Sequence, residues 1–86
     1  MAEFDPTPSM YYVYVLRGVK DKEFYCGYTG NLKKRFKEHN KNKNYELLYY
    51  EAYKTKKDAY NRERQLKHHA QALTALKVRL KESLKL

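Results

Sequence analysis

The 86-residue chain lacks what several classes of protein require. It has one cysteine, Cys26, which excludes an internal disulfide and any zinc site that needs two or four cysteines of one chain. No apolar run approaches the ~20 residues that cross a bilayer. The first ten residues have neither the basic start nor the apolar middle of a signal peptide. We therefore expect a cytoplasmic protein with no membrane partner.

Acidic residues are also few. Asp and Glu number 10 against 19 Lys and Arg, which gives a formal net charge of +9. A chain this short buries only about 60% of its unfolded surface, so it forms one domain, and large multi-site enzymes are excluded. The cation excess indicates a polyanionic partner such as nucleic acid, because Lys and Arg release counterions from phosphates. Composition leaves open that the charge only keeps a small domain soluble.

The N-terminal half predicts two paired strands. Residues 1–9 contain both prolines and no periodicity, so we expect a disordered tail before a single domain over residues 10–86. Residues 11–16 are all β-branched, aromatic or aliphatic, which is typical of a strand covered on both faces. A turn over residues 18–23 joins them to a second short strand over residues 24–28, most simply as an antiparallel hairpin.

A helix and a third strand are predicted next. Thr29 or Asn31 caps a helix that ends near Asn40 and carries Leu32, Phe36 and His39 on one face. Residues 45–53 then alternate as a strand. One set of its side chains is Leu47, Tyr49, Glu51 and Tyr53, and the other is Leu48, Tyr50 and Ala52.

The C-terminal third is one long apolar helical pattern. Thr55 and Asp58 begin it as a weak relative of a capping box. Its apolar positions are Ala59, Leu66, Ala70, Leu73, Leu80 and Leu84. One helix of about 30 residues would be ~45 Å long, which exceeds the width of so small a domain, so we expect a break near residues 69–73. A single projecting helix that forms a homodimer satisfies the same pattern.

Three charged residues fit a purely structural interpretation poorly. Glu63 lies in the apolar stripe of the second helix, where a carboxylate is costly unless a cation, a metal ion or several donors meet it. Arg35 and His39 stand one turn apart on the first helix, where they suit a phosphate. The structural alternatives are an edge position for Glu63 with a Lys or Arg partner, and surface decoration for the other two.

The ten tyrosines fall mostly in predicted strands, where packing explains them. A cluster over residues 45–53 could instead stack on bases or form a dimer contact. We expect Cys26 to be an inert small residue.

Several of these residues, taken in order, resemble the motifs of the GIY-YIG nuclease superfamily. They are Tyr12-Val13-Tyr14, Tyr25-Cys26-Gly27, Arg35 ten residues after Tyr25, His39 four further on, and Glu63 on the next helix. The likeness spans about residues 11–66 and is strongest over residues 24–40. It is greatest to the small stand-alone members. The chain has Tyr12 at the first family glycine and Tyr28 where many members have lysine, and it has no asparagine after Asn61.

This resemblance implies an α/β chain of the α+β type, with a small three-stranded antiparallel sheet flanked by two to three helices. The periodicity gives the same element order. The resemblance also implies that Tyr14, Tyr25, Arg35, His39 and Glu63 converge at one side of the sheet. In that scheme Glu63 binds one Mg²⁺ or Mn²⁺, Arg35 steadies the scissile phosphate, and the other three position or deprotonate the attacking water.

Two further residues have expected structural roles. Gly27 lets the first helix or the substrate backbone approach the sheet, and Asn31 caps that helix, whose positive end then faces the site.

Three functions follow as hypotheses. The first is a metal-dependent endonuclease that hydrolyses phosphodiester bonds in DNA, more readily than in RNA, at structured or damaged sites. The second is a non-catalytic nucleic-acid-binding module that retains the fold. The third is a protein-interaction domain that uses the leucine-rich C-terminal helix. The residues expected to bind nucleic acid are Lys33, Lys34, Arg35, Lys37 and Lys67.

Overall fold

A β-hairpin opens the domain, as the sequence predicts. In the computed structural model, which describes residues 10–41 and 44–85, strand β1 spans Tyr11–Gly18 and strand β2 spans Phe24–Thr29. The two strands pair antiparallel, with Tyr14 opposite Gly27 and Leu16 opposite Tyr25. Seven of the eight β1 residues are buried, which confirms a strand covered on both faces. The predicted N-terminal tail lies outside the described residues.

Helix α1, Leu32–His39, leads from β2 to strand β3, Tyr45–Tyr53. β3 pairs antiparallel with the other side of β1, so the strand order is β2-β1-β3 and the predicted α+β fold with a three-stranded antiparallel sheet is confirmed. Asn31 is the N-cap of α1, and its side chain accepts a hydrogen bond of 3.0 Å from the backbone N–H of Lys34.

The register of β3 differs in part from the predicted alternation. Tyr49 lies opposite Val15, but Leu47 lies opposite Leu16, because the register shifts between Val15 and Leu16. One extra residue in β3 thus places Leu47 on the opposite face of the sheet from Tyr49. A local bulge of this kind leaves no signal in an apolar run.

The predicted break in the C-terminal helix is confirmed. Helix α2 spans Lys56–His68 and helix α3 spans Ala70–Arg79, with His69 between them. A short 3₁₀ helix follows over Ser83–Lys85. Thr55 caps α2 by accepting a hydrogen bond of 3.2 Å from the N–H of Asp58. The longest extent of the molecule is 32 Å, which a ~45 Å helix would exceed. Contrary to the predicted stripe, Ala70 is exposed and Leu76 is buried.

The main core lies between one face of the sheet and the two C-terminal helices. It consists of Val13, Val15, Ala59, Leu66 and Leu76, all at most 2% exposed. Burying each large apolar side chain contributes about 1.5–3 kcal/mol, so this cluster holds α2 and α3 on the sheet. Because side chains alternate along β1, its other face carries Tyr12, Tyr14 and Leu16, which are also buried.

A polar cluster joins β3 to α2. The carboxylate of Glu51 accepts hydrogen bonds from the hydroxyls of Tyr49, at 2.6 Å, and Tyr53, and from Arg62 Nε and Nη2, both at 3.1 Å. Burial alone would raise the pKa of Glu51, but these donors outweigh burial and hold its pKa below the usual range. Burial and the bond to Glu51 raise the pKa of Tyr53 to about 12. The cluster therefore ties α2 to an edge strand.

Candidate active site

Tyr14 and His39 form the best-defined polar contact of the motif residues. The Tyr14 hydroxyl and His39 Nε2 share a hydrogen bond of 3.1 Å, and the His39 tautomer decides which of them donates. Their ring centroids are 5.9 Å apart. Tyr14 is 4% exposed within β1, whereas His39, the last residue of α1, is exposed. The pair therefore joins a fixed phenol to an imidazole that reaches solvent.

Gly27 makes room for this pair. It lies directly opposite Tyr14 in the β1–β2 register, and a Cβ at Gly27 would collide with the Tyr14 hydroxyl and ring. We expected α1 or the substrate backbone to approach this glycine. The structure instead places the Tyr14 ring over it, so Gly27 lets Tyr14 extend across β2 towards the edge of the sheet.

Tyr25 is held by the hairpin turn. Its ring is 39% exposed, and its hydroxyl donates a hydrogen bond of 2.9 Å to Asp21 Oδ2. Asp21 also accepts a hydrogen bond from the backbone N–H of Glu23 at 2.8 Å, so the turn fixes the carboxylate. The bond to Asp21 raises the pKa of Tyr25. Tyr25 is therefore suited to donate a hydrogen bond and unsuited to act as a base.

Tyr45 connects Tyr25 with the Tyr14–His39 pair. Its ring packs edge-on against Tyr25 at 5.2 Å and against His39 at 6.2 Å between centroids. From the sequence, Tyr45 was predicted only as part of a tyrosine cluster in the third strand. Its position as the first residue of that strand carried no signal of this link.

Glu63 is paired with a lysine of its own helix. Its side chain is 12% exposed, and Oε2 lies 2.8 Å from Lys67 Nζ, one turn along α2. The bond to Glu63 raises the pKa of Lys67, and Cys26 and Tyr14 add to it, so both lie within electrostatic range of this pair. Burial raises the pKa of Cys26. The glutamate thus lies on the helix that packs beside β2, with a cation already bound to it.

Arg35 lies at the end of β2. Its Nε is 3.4 Å from Glu38 Oε1, and both side chains are about half exposed, so the ion pair is weak and easily exchanged. Arg35 lines a cleft of about 450 Å³ with Tyr11, Tyr28, Thr29, Gly30 and Lys56. It also borders a smaller cavity of about 300 Å³ beside Asn31 and Lys34.

Contacts in the structure link three of the five predicted catalytic residues. Tyr14 and His39 are in contact, and Tyr25 is linked to His39 through the ring of Tyr45, whereas Glu63 is paired with Lys67. Arg35 borders the cleft at the strand's end. Their convergence on one substrate stays a prediction.

Lysines of α1 form a separate basic surface. Lys33, Lys34 and Lys37 line a cavity of about 550 Å³ together with Lys41, which the sequence analysis did not select. Lys41 comes one helical turn after Lys37, so continuing the spacing of the helix past Asn40 would have included it. The concentration of charge suits phosphate contacts.

The residues present fit a hydrated magnesium or manganese ion better than a caged metal. Within residues 10–41 and 44–85 no group of three His, Cys, Asp or Glu could hold a metal ion. Mg²⁺ commonly takes one or two carboxylates and fills its other positions with water and substrate phosphates. The single, largely buried carboxylate of Glu63 matches that pattern, whereas a zinc site needs three or four protein ligands.

The chain matches a known family over most of its length. A family model described as the GIY-YIG catalytic domain covers residues 10–77. The chain belongs to the GIY-YIG family. This confirms the resemblance seen in the motif residues, and the family is a nuclease superfamily whose members generally use divalent metal ions.

Two similar curated proteins are small members of the GIY-YIG family. A UPF0213 protein of Limosilactobacillus reuteri (strain DSM 20016) is 38% identical over 69 residues, which cover 67% of this chain and 71% of that protein. A UPF0213 protein of Clostridium perfringens (strain 13 / Type A) is 37% identical over 67 residues, with 67% and 71% covered. No solved structure matches the chain significantly. Across the described part of the chain, each helix is too short or too polar to traverse a bilayer.

Proposed function

We propose that the protein is a metal-dependent endonuclease that hydrolyses phosphodiester bonds in DNA. The observation that carries this proposal is the Tyr14–His39 hydrogen bond beside Gly27, in a member of a nuclease superfamily. A purely structural tyrosine does not need an exposed imidazole as its partner. Hydrolysis of a phosphodiester requires a group that takes a proton from water near neutral pH, and this pair offers one.

The other motif residues supply the remaining requirements. Arg35 presents a planar fork of donors that binds the non-bridging phosphate oxygens. Tyr25 positions the attacking water by accepting a hydrogen bond from it, since the one proton of its hydroxyl is donated to Asp21. Glu63 would hold the divalent ion, which supplies positive charge against the charge that develops on the phosphate.

The reaction is a displacement at phosphorus. Water adds to the phosphorus atom while the bond to the leaving sugar oxygen breaks. The Tyr14–His39 pair takes the proton of the water, and the leaving oxygen is protonated in turn. Arg35 steadies the phosphate throughout, so positioning and electrostatics lower the barrier.

Structured or damaged DNA is the proposed substrate. A domain of this size has little surface for reading base sequence, so branched, nicked or distorted sites suit it better than a long sequence-specific site. Lys33, Lys34, Lys37 and Lys67 would bind the flanking phosphates. For an enzyme with such a substrate we propose a role in DNA repair in the cytoplasm.

The test is a cleavage assay on branched, nicked and linear DNA with Mg²⁺ or Mn²⁺. Glu63→Ala and Arg35→Ala should abolish or strongly reduce cleavage, while Lys57→Gln, which changes an exposed charge outside the motif, should not. Thermal unfolding of each variant checks that the fold is intact. Undiminished cutting by Glu63→Ala contradicts the proposal, and salt-sensitive retention of DNA without products identifies a binding module instead.

A homodimer through the C-terminal helices is a separate proposal. Leu76 is buried and Leu80 packs against the core, so these leucines face the sheet, whereas Val78 is 66% exposed on α3. Sedimentation of dilute protein tests it. A concentration-independent monomer contradicts it.

A further inference from the structure

A cleft beside the candidate active site has the composition of a nucleotide-binding site. It lies where the first residue of β1, the end of β2 and the start of α2 meet, and Arg35 of α1 borders it. Its volume of about 450 Å³ falls in the range of small-molecule sites in proteins. Of the residues that line it, only Arg35 belongs to the motif, and the proposed reaction gives no role to the others.

Two cations of different helices face this cleft. Arg35 has only the half-exposed Glu38 as an ion-pair partner in the described chain, and Lys56 is exposed at the first position of α2. Neither side chain is committed to the core, so both are available to an anion. Two cations that line one concave surface are suited to one phosphate or two successive phosphates.

Two tyrosines of the lining, Tyr11 and Tyr28, are aromatic surfaces that are held in place. Tyr28 and Tyr11 are half-buried and pack against the main core. Tyr28 also contacts Tyr60 edge-on, at 5.8 Å between centroids, and the guanidinium of Arg64 lies 5.7 Å from the Tyr60 ring. A ring fixed in this way loses little conformational entropy when a base stacks on it.

We propose that this cleft binds one unpaired nucleotide next to the scissile phosphate. Lys56 holds its phosphate, Arg35 holds the neighbouring scissile phosphate, and its base lies against Tyr28 and Tyr11. The inference rests on the proposed function for its place in catalysis, but the binding step requires no cleavage. It names the substrate class as DNA with an unpaired nucleotide, such as a flap, gap or bubble. It also gives Tyr28 a role as an aromatic base contact.

Binding of a labelled single-stranded oligodeoxynucleotide in the presence of EDTA tests this site, with a hairpin duplex as the comparison. Lys56→Gln and Lys57→Gln are a matched pair, because each removes one exposed charge from α2 but only Lys56 lines the cleft. Lys56→Gln should lower the slope of log K against log salt by about 0.7 for the single strand. Lys57→Gln should change this slope less. Neither variant should change the slope measured with the hairpin duplex.

The aromatic contact is tested at Tyr28. Tyr28→Leu should weaken single-strand binding by about fivefold or more, as loss of one stacked base predicts, and Tyr28→Phe should restore it. Thermal unfolding shows whether Tyr28→Leu is folded. If it is not, the Lys56 and Lys57 pair decides the question.

Equal binding by the Lys56 and Lys57 variants overturns the site, as does full binding by a folded Tyr28→Leu. Cleavage by the wild-type protein with such results leaves the proposed function intact. Absence of cleavage together with the expected binding losses overturns the proposed function and retains the nucleotide site.

Discussion

Two glutamates show how differently this small domain uses a buried carboxylate. Glu51 on β3 is 15% exposed and Glu63 on α2 is 12% exposed, so both have lost most of their water. Both oxygens of Glu51 accept hydrogen bonds, from two tyrosines and Arg62. Glu63 is paired with one lysine, Lys67, which is itself 46% exposed. One carboxylate is saturated with donors and the other is held by an exchangeable cation.

This difference indicates which glutamate is structural and which is available for chemistry. A saturated carboxylate cannot bind a metal ion without losing several hydrogen bonds, and the cost of that loss keeps it in place. A half-exposed lysine can leave its partner at little cost. We therefore expect Glu51 to serve stability, and the difference supports the proposed role of Glu63.

Glu51→Ala should cause the largest change in stability. It leaves Arg62 and two tyrosine hydroxyls without their shared acceptor, and breaking a largely buried pair costs about 3 kcal/mol. Chemical denaturation followed by circular dichroism measures it.

A double variant separates charge loss from cavity formation. Glu51→Leu combined with Arg62→Met should recover much of the lost stability, because an apolar pair replaces a buried ion pair at little cost. A single Glu51→Ala variant as stable as wild type would remove the structural half of the comparison.

Gly27→Ala should have the next largest effect. Its added Cβ would collide with Tyr14, so the ring must shift away from His39, and such overpacking costs about 2 kcal/mol. Cleavage should fall with it, because the Tyr14–His39 contact is lost. For stability, Gly30→Ala is the matched control, since its Cβ would lie 3.8 Å from Tyr11, an ordinary contact. Equal behaviour of the two variants would contradict the proposed need for space at Gly27.

The Glu51 cluster should also give the protein a defined pH range. The folded pKa of Glu51 lies below its usual 4.5, so its contribution is present above that pH and is lost as pH falls through the folded value. The pKa of Tyr53 is raised from 10.0 to about 12, so its contribution is present below pH 10 and is lost as pH rises to about 12.

Measuring the free energy of unfolding across pH tests both the loss of stability at low pH and the loss at high pH. Glu51→Gln should make both losses smaller. Tyrosinate absorbance offers a second readout, which the absence of tryptophan keeps clean. If Glu51→Gln loses stability at low pH as fully as wild type does, other carboxylates cause that loss.

Glu63→Gln should have the smallest effect on stability. The amide keeps an oxygen that can accept from Lys67, so the unfolding free energy should change by less than about 1 kcal/mol. Thermal and chemical denaturation of this variant beside Glu51→Gln give the contrast directly. A loss as large as that of Glu51→Gln would mean that Glu63 is structural too.

Most of the fold is predictable from the sequence because its signals are local. The Thr55 cap, the Asn31 cap and the break between α2 and α3 depend on residues close together in the chain or on helix length. The register shift opposite Val15 and Leu16 depends on how two strands meet, so the apolar run could not reveal it.

The candidate site divides in the same way. Glu63 was selected from the sequence because it interrupts an apolar helical stripe. Glu51 alternates in phase with Tyr49 and Tyr53 on a short strand, and it was not selected. The same argument about a carboxylate on an apolar face would have selected it. The roles of Tyr45 and Lys56 required the fold, because Tyr25 and Arg35, which they join, lie far from them in the sequence.

The most direct test measures the DNA cleavage rate against Mn²⁺ concentration for wild type, Glu51→Gln and Glu63→Gln, at a temperature where all three are folded. The account predicts that Glu51→Gln retains the wild-type dependence on Mn²⁺ and most of the rate, and that Glu63→Gln loses Mn²⁺-dependent cleavage. Mn²⁺-dependent cleavage by folded Glu63→Gln, or its loss in folded Glu51→Gln, would contradict the assignment of the two carboxylates.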